Sequence, residues 1–182
     1  MSNKLLYEIE GRCLFEYGIA EANKVLRTYN KVYITLITRY DFIYKWAIDH
    51  GIEAVYSPES INGASFTIKN ALMSLKNLKE DDYILFVAAD QPFIKAKTLV
   101  KLIECSQKGI LIARVKYKEK VGNPVIFSAK LKDELCNLKG DMGGRVLIEK
   151  YGCEYVEAED ETELIDIDYT EDVIKNNGKF NF

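Results

Sequence analysis

Short apolar runs alternate with segments of helical period along almost the whole chain, and this alternation constrains the fold more than any other feature. Val32-Tyr33-Ile34-Thr35-Leu36-Ile37 is β-branched and aromatic, and residues 40–50 follow as a helix closed by Gly51. Residues 52–56 read as the next strand. Behind the turn Asn62-Gly63-Ala64-Ser65, residues Ile68, Ala71, Leu72, Leu75 and Leu78 fall at helical spacing. The run Tyr83-Ile84-Leu85-Phe86-Val87-Ala88-Ala89 is a buried strand. Ala96, Leu99, Val100 and Ile103 mark an amphipathic helix ended by Gly109, and residues 110–115 return as a strand. A short strand at 124–127, helices over 129–138 and 144–151, strands at 154–156 and 164–167 and a last helix from near Thr170 complete the pattern. Such alternation predicts an α/β fold with a mainly parallel sheet covered by helices on both faces. With 182 residues, 48% hydrophobic, and no repeat or linker-like stretch, the expectation is a single domain over residues 1–182.

Charge and cysteine usage remove several function classes. A net charge of −3 supplies no basic field for a nucleic-acid backbone. No run of eighteen apolar residues and no leader-like start occur, so membrane spanning and secretion are disfavoured and a cytoplasmic protein is expected. Cys13, Cys105, Cys136 and Cys153 lie far apart, with no CxxC and a single histidine, His50. That fits neither a zinc site nor a disulfide framework and suggests reduced thiols, mostly in the core.

The chemistry concentrates where elements end. The strand that runs to Ala89 is followed by Asp90-Gln91-Pro92, and in open α/β sheets ligands bind just beyond strand ends. Asp90 is therefore a candidate for metal or phosphate handling, or else an aspartate in a turn with Pro92 stopping the strand. Four further clusters fall at expected loop positions: Asn3-Lys4-Leu5-Leu6, Gly122-Asn123-Pro124, Gly140-Asp141-Met142-Gly143-Gly144-Arg145, and Asp166-Ile167-Asp168-Tyr169-Thr170-Glu171-Asp172. The third offers backbone N–H groups and a guanidinium suited to a phosphate, or is simply a helix-start turn. On a strand, Asp166 and Asp168 would point to opposite faces, so at most one would share a site with Asp90.

Taken in order, these clusters resemble the MobA-like NTP transferase family, most closely the molybdenum cofactor cytidylyltransferases. Lys4-Leu5-Leu6 matches the lysine and two leucines after that family's nucleotide loop, and Gly63-Ala64-Ser65 matches its Gly-x-Ser. Asp90-Gln91-Pro92, Gly122-Asn123-Pro124, the Gly-Asp-x-Gly-x-Arg of residues 140–145 and the closing acidic motif follow in the same order, over roughly residues 3–173. Two departures stand out. Tyr169-Thr170 replaces the family's Thr-Pro, and Met1-Ser2-Asn3 aligns with the end of the glycine-rich loop, so the first strand and most of the triphosphate cradle are expected to be missing.

The resemblance implies a Rossmann-like fold of the nucleotide-diphospho-sugar transferase type. It implies transfer of CMP or GMP, from CTP or GTP, to a phosphorylated acceptor such as molybdopterin, with a sugar phosphate as an alternative acceptor. Lys4, Asp90 and Asp168 would be catalytic, with Mg²⁺ held by Asp90 and Asp168 and Asp166 as the fallback partner. Lys4, Gly63 and Ser65 would bind nucleotide. Gln91, Pro92, Gly122, Pro124, Gly140, Asp141 and Arg145 would line the acceptor side, with Arg145 on its phosphate. A terminal phosphate nucleophile with a second pKa near 6 needs no general base. Partners would be small molecules, with a homo-oligomer allowed. The competing expectation, from the missing loop, is a catalytically weakened binding protein.

Overall fold

A computed structural model describes residues 3–168. Tyr169, Thr170, Glu171 and Asp172, and the helix expected from Thr170, lie outside the described residues. The chain forms two compact units, one drawn from Met1–Val32, Leu85–Ile126 and Glu154–Phe182, the other from Tyr33–Ile84 and Phe127–Cys153.

The first unit opens with a 3₁₀ turn at Lys4–Leu6 and a small antiparallel pair, β1 (Glu8–Ile9) and β2 (Arg12–Cys13), leading into helix α1 (Leu14–Leu26). Leu14, Phe15, Tyr17, Gly18, Ile19, Glu21 and Val25 form the buried face of α1, apolar at helical spacing except for Glu21. The second unit begins with β3 (Thr35–Thr38), α2 (Asp41–Asp49), β4 (Glu53–Tyr56) and α3 (Ala64–Ser74). β3 and β4 pair in parallel, Thr35 opposite Glu53 and Thr38 opposite Tyr56, as a βα unit requires. α3 stops at Ser74, whose hydroxyl donates to the Ala71 carbonyl, so Leu75 and Leu78 lie beyond it despite their spacing.

β5 (Tyr83–Phe86), α4 (Ala96–Ser106), β6 (Ile112–Tyr117), β7 (Lys120–Ser128) and β8 (Glu154–Glu157) follow in chain order, interrupted after β7 by α5 (Lys132–Cys136) and α6 (Arg145–Tyr151). The four strands order as β5-β7-β6-β8. β6 and β8 are parallel, Ala113 opposite Glu154. β6 and β7 are joined by Lys118-Glu119 alone, which only an antiparallel pair permits. β7 is thus an antiparallel strand in an otherwise parallel arrangement, so the sheet is mixed and not purely parallel, and the expected α/β class holds.

Three further expectations shift. The apolar run 83–89 is in the ladder only to Phe86, and Val87 beyond it packs, like Leu85 within the strand, against Val25, Ile94 and Leu99. Gly122 and Pro124 lie within β7, not in a loop. Residues 164–167 are not a strand: Asp160 caps a 3₁₀ turn at Glu161–Leu164 through the Thr162 N–H (2.8 Å), and the chain beyond it joins no ladder. Of the cysteines, all free, only Cys105 is buried. No helix among the described residues is long and apolar enough to cross a membrane.

Candidate active site

The first unit brings three of the expected residues into one cluster. Asn3 starts the N-terminal 3₁₀ turn by accepting the Leu5 N–H on its Oδ1 (3.1 Å). Leu5 packs against the buried cluster of Ile9, Leu14, Tyr17, Phe93 and Ile167, which fixes the turn that carries Lys4. Ile167, 1% exposed, is the apolar residue between Asp166 and Asp168, and its N–H donates to the Asp90 carbonyl (2.9 Å). One backbone bond and one buried side chain therefore hold the closing motif against the turn after β5.

Lys4 Nζ donates to Asp90 Oδ2 at 2.8 Å and to Asp168 Oδ1 at 2.7 Å, so those two oxygens lie within about 5.5 Å of each other. Partial burial pulls the Lys4 pKa down, but the hydrogen bonds to Asp168 and Asp90 outweigh it and hold the ammonium above the ordinary lysine value. Asp166 moves the other way for a carboxyl: burial and then the Asp90 charge raise its pKa, against a hydrogen bond to Gln91. The opposite-face expectation fails here because residues 165–168 join no sheet. Asp166 feels the Asp90 charge, and Asp168 shares the Lys4 ammonium with Asp90.

The neighbouring expected residues are more enclosed. Gln91 is 2% exposed, and with its side chain bonded to Asp166 its Oε1 finds no partner among the described residues. Pro92 and Pro124 are buried. The open face of Gly122 is filled by Leu164, 3.0 Å from where a Cβ would stand, and its carbonyl accepts from Arg114 Nε and Nη2 at 3.3 Å each.

The second unit holds the remaining five. Gly63 has φ +128°, and a Cβ there would overlap the Gly140 carbonyl and come within 2.7 Å of the Asp141 nitrogen. Ser65 is buried and donates its backbone N–H to the same Gly140 carbonyl (3.1 Å). Residues assigned to the nucleotide side and to the acceptor side are thus in direct backbone contact. Asp141 is exposed. Arg145, 84% exposed, opens α6 and pairs with Glu149 one turn on (2.8 Å).

The Asp90–Asp168 pair suits a hard divalent cation. It offers carboxylate oxygens, it already coordinates a cationic nitrogen, and an unpartnered buried oxygen, Gln91 Oε1, lies one residue from Asp90. No group of three His, Cys, Asp or Glu side chains among the described residues converges in metal-binding geometry. A cation here would take two carboxylates and complete its shell with water and substrate oxygens, the usual manner of Mg²⁺. Sequence reasoning gave Asn3 no role, although asparagine immediately before a turn is the capping signal it missed.

Solved structures share this fold. The 4-diphosphocytidyl-2C-methyl-D-erythritol synthase of Anaerococcus prevotii superposes with a TM-score of 0.75 at 18% identity, covering 96% of this chain and 88% of its own. Rv0371c of Mycobacterium tuberculosis, solved in complex with manganese, gives 0.71 at 19% identity, with 94% and 89% covered. The molybdopterin-guanine dinucleotide biosynthesis protein A of Archaeoglobus fulgidus gives 0.69 at 19%, with 97% and 89% covered. No curated protein matches the sequence. The fold is therefore the α/β fold of nucleotidyltransferases. The sequence narrows this: residues 1–157 match the MobA-like NTP transferase domain, and the chain belongs to that family. Its members are nucleotidyltransferases that take nucleoside triphosphates as substrates.

Proposed function

We propose that this chain transfers CMP or GMP from CTP or GTP to the phosphate of a small-molecule acceptor such as molybdopterin, in a Mg²⁺-dependent reaction. The observation that carries the proposal is Lys4 held at 2.8 and 2.7 Å between Asp90 and Asp168. These are the positions where the family resemblance expects the phosphate-binding lysine and the two metal carboxylates.

Asp90 and Asp168 would hold the cation, and when bound it offsets negative charge on the triphosphate as pyrophosphate leaves. The Ile167–Asp90 backbone bond sets the carboxylates side by side before substrate arrives. Lys4 supplies a second positive charge for the phosphates. The acceptor phosphate attacks the α-phosphorus already ionised, so the site carries no general base, consistent with His50, the chain's single histidine, being exposed and stacked on Trp46. Arg145 is assigned to the acceptor phosphate. Its exposed i,i+4 pair with Glu149 is worth only about 0.3–0.5 kcal/mol, so a phosphate displaces it at little cost. Gly63 and Ser65 shape the nucleotide-side loop through their tie to Gly140.

The test is pyrophosphate release with Mg²⁺, CTP or GTP, and either molybdopterin or a sugar phosphate. Asp90→Asn should lower turnover by at least about 100-fold. Undiminished turnover in that variant, or none in the unmutated chain with any pair of substrates, overturns the proposal. Arg145→Ala should weaken acceptor binding well beyond nucleotide binding in calorimetry, and equal losses would remove its assigned role.

A further inference from the structure

Two carboxylates with oxygens no more than about 5.5 Å apart, and a third at Asp166 that feels both, make a strongly anionic cluster. One ammonium holds the pair together. Lys4 Nζ reaches both carboxylates at full hydrogen-bonding distance while its side chain is only 34% exposed. A cation bridging Asp90 Oδ2 and Asp168 Oδ1 with metal–oxygen bonds of about 2.1 Å would need the volume this nitrogen fills. The ammonium and the divalent ion therefore compete for the same oxygens.

At these two oxygens the competition is relieved when Lys4 finds other anionic oxygens. Lys4 sits at the start of a single 3₁₀ turn, on a four-carbon stem, so its head can move while Leu5 keeps the turn docked in the core. A triphosphate supplies such oxygens, and it brings its own bound cation.

We infer that Lys4 is the internal counter-ion of the Asp90–Asp168 pair and that a divalent cation gains both carboxylates only as a nucleoside triphosphate draws the ammonium away, so that cation and nucleotide load together. The inference rests on the proposed cation site. It assigns Lys4 a role before any chemistry: it offsets half of the pair's negative charge while the site is empty and keeps free metal out. Linkage then makes the effect reciprocal, with cation and nucleotide each strengthening the other through the displaced lysine.

The probe is Mn²⁺, titrated without nucleotide and followed by loss of the free-ion EPR signal. The protein as it stands should bind Mn²⁺ weakly. Lys4→Met should bind it about 5- to 150-fold more tightly, the range of ordinary coupling between sites. Lys4→Arg, which keeps the charge, should stay weak, and Lys4→Gln serves if Lys4→Met does not fold. Adding a non-hydrolysable α,β-methylene CTP or GTP should tighten Mn²⁺ binding to the unmutated protein by a larger factor than in Lys4→Met. Equal or weaker Mn²⁺ binding by Lys4→Met without nucleotide overturns the inference. Asp90→Asn separates the two levels. If it abolishes Mn²⁺ binding while Lys4→Met changes nothing, the counter-ion role fails and the cation site stands. If neither variant alters binding, the cation site itself is misplaced.

Discussion

Gly63 and Gly140 both have positive φ, yet the structure asks different things of them. A side chain at Gly63 would run into the Gly140 backbone, whereas at Gly140 there is open space and only the φ of +57° to bear. Gly63→Ala should therefore cost about 2–4 kcal/mol and Gly140→Ala only about 1–2, read from urea midpoints. Similar costs for the two would refute the close packing. Asp166 yields a pH-dependent expectation. Its folded pKa is raised, first by burial, so the folded state holds the proton more tightly than the unfolded chain. Stability then falls as pH climbs from the ordinary carboxyl value, about 3.9, through the raised one, and stays lower above it. Asp166→Asn, which keeps an acceptor for Gln91, should raise Tm by a few degrees at pH 7 in chelator and lose that gain by about pH 4. A gain independent of pH would mean another cause. At this scale the sequence marked Asp90 and Asp168 through motif order, but Pro92 and Pro124 proved buried, because a motif records which residues are needed and not which of them face outward.

Helix α4 shows how an element can be legible while its ends are not. Ala96, Leu99, Val100 and Ile103 announce it by periodicity. Its N-terminal amides, however, are satisfied from far away: Ala96 N–H donates to Glu21 Oε2 (2.8 Å), 75 residues distant, and Lys95 N–H to Glu163 Oε2 (3.0 Å), 68 residues distant. Glu163 is fully buried and also accepts the Glu159 N–H (2.7 Å). No local pattern could reveal caps that arrive through tertiary contact. Glu163→Ala removes the acceptor of two part-buried backbone donors and should cost about 1–3 kcal/mol, with faster amide exchange at Lys95 and Glu159, while Glu163→Gln should lose less. Unchanged exchange at both amides would dismiss this capping role. Nearby, Lys101 and Lys97 push the exposed Glu159 carboxyl down to about 2. Whatever it contributes is present above the ordinary carboxyl range and lost as pH falls towards that value.

For the molecule as a whole, the α/β class was legible because strand and helix periods alternate, and β3, α2 and β4 fall close to where that alternation puts them. The one antiparallel strand, β7, was not legible, for an identifiable reason. The β6–β7 turn uses Lys118-Glu119, with Lys118 at φ +52°, in place of the Asn-Gly or Asp-Gly that usually signals a two-residue hairpin. Without that signal the sequence suggests only a short strand here, with Gly122 and Pro124 in a loop. The family likeness was carried by spaced motifs, and it held where local element boundaries did not.

The ion pairs of Lys4 span 86 and 164 residues. Contacts of such sequence separation form late, since the intervening chain must be ordered before they return any free energy. The carboxylate pair is thus a marker of completed folding. Trp46, the single tryptophan, lies in α2 beside the local β3–β4 pairing and reports a different, shorter-range event. During refolding from urea, its fluorescence should recover ahead of Mn²⁺ capture by the Lys4→Met protein. Simultaneous recovery would mean that the chain folds in one concerted step.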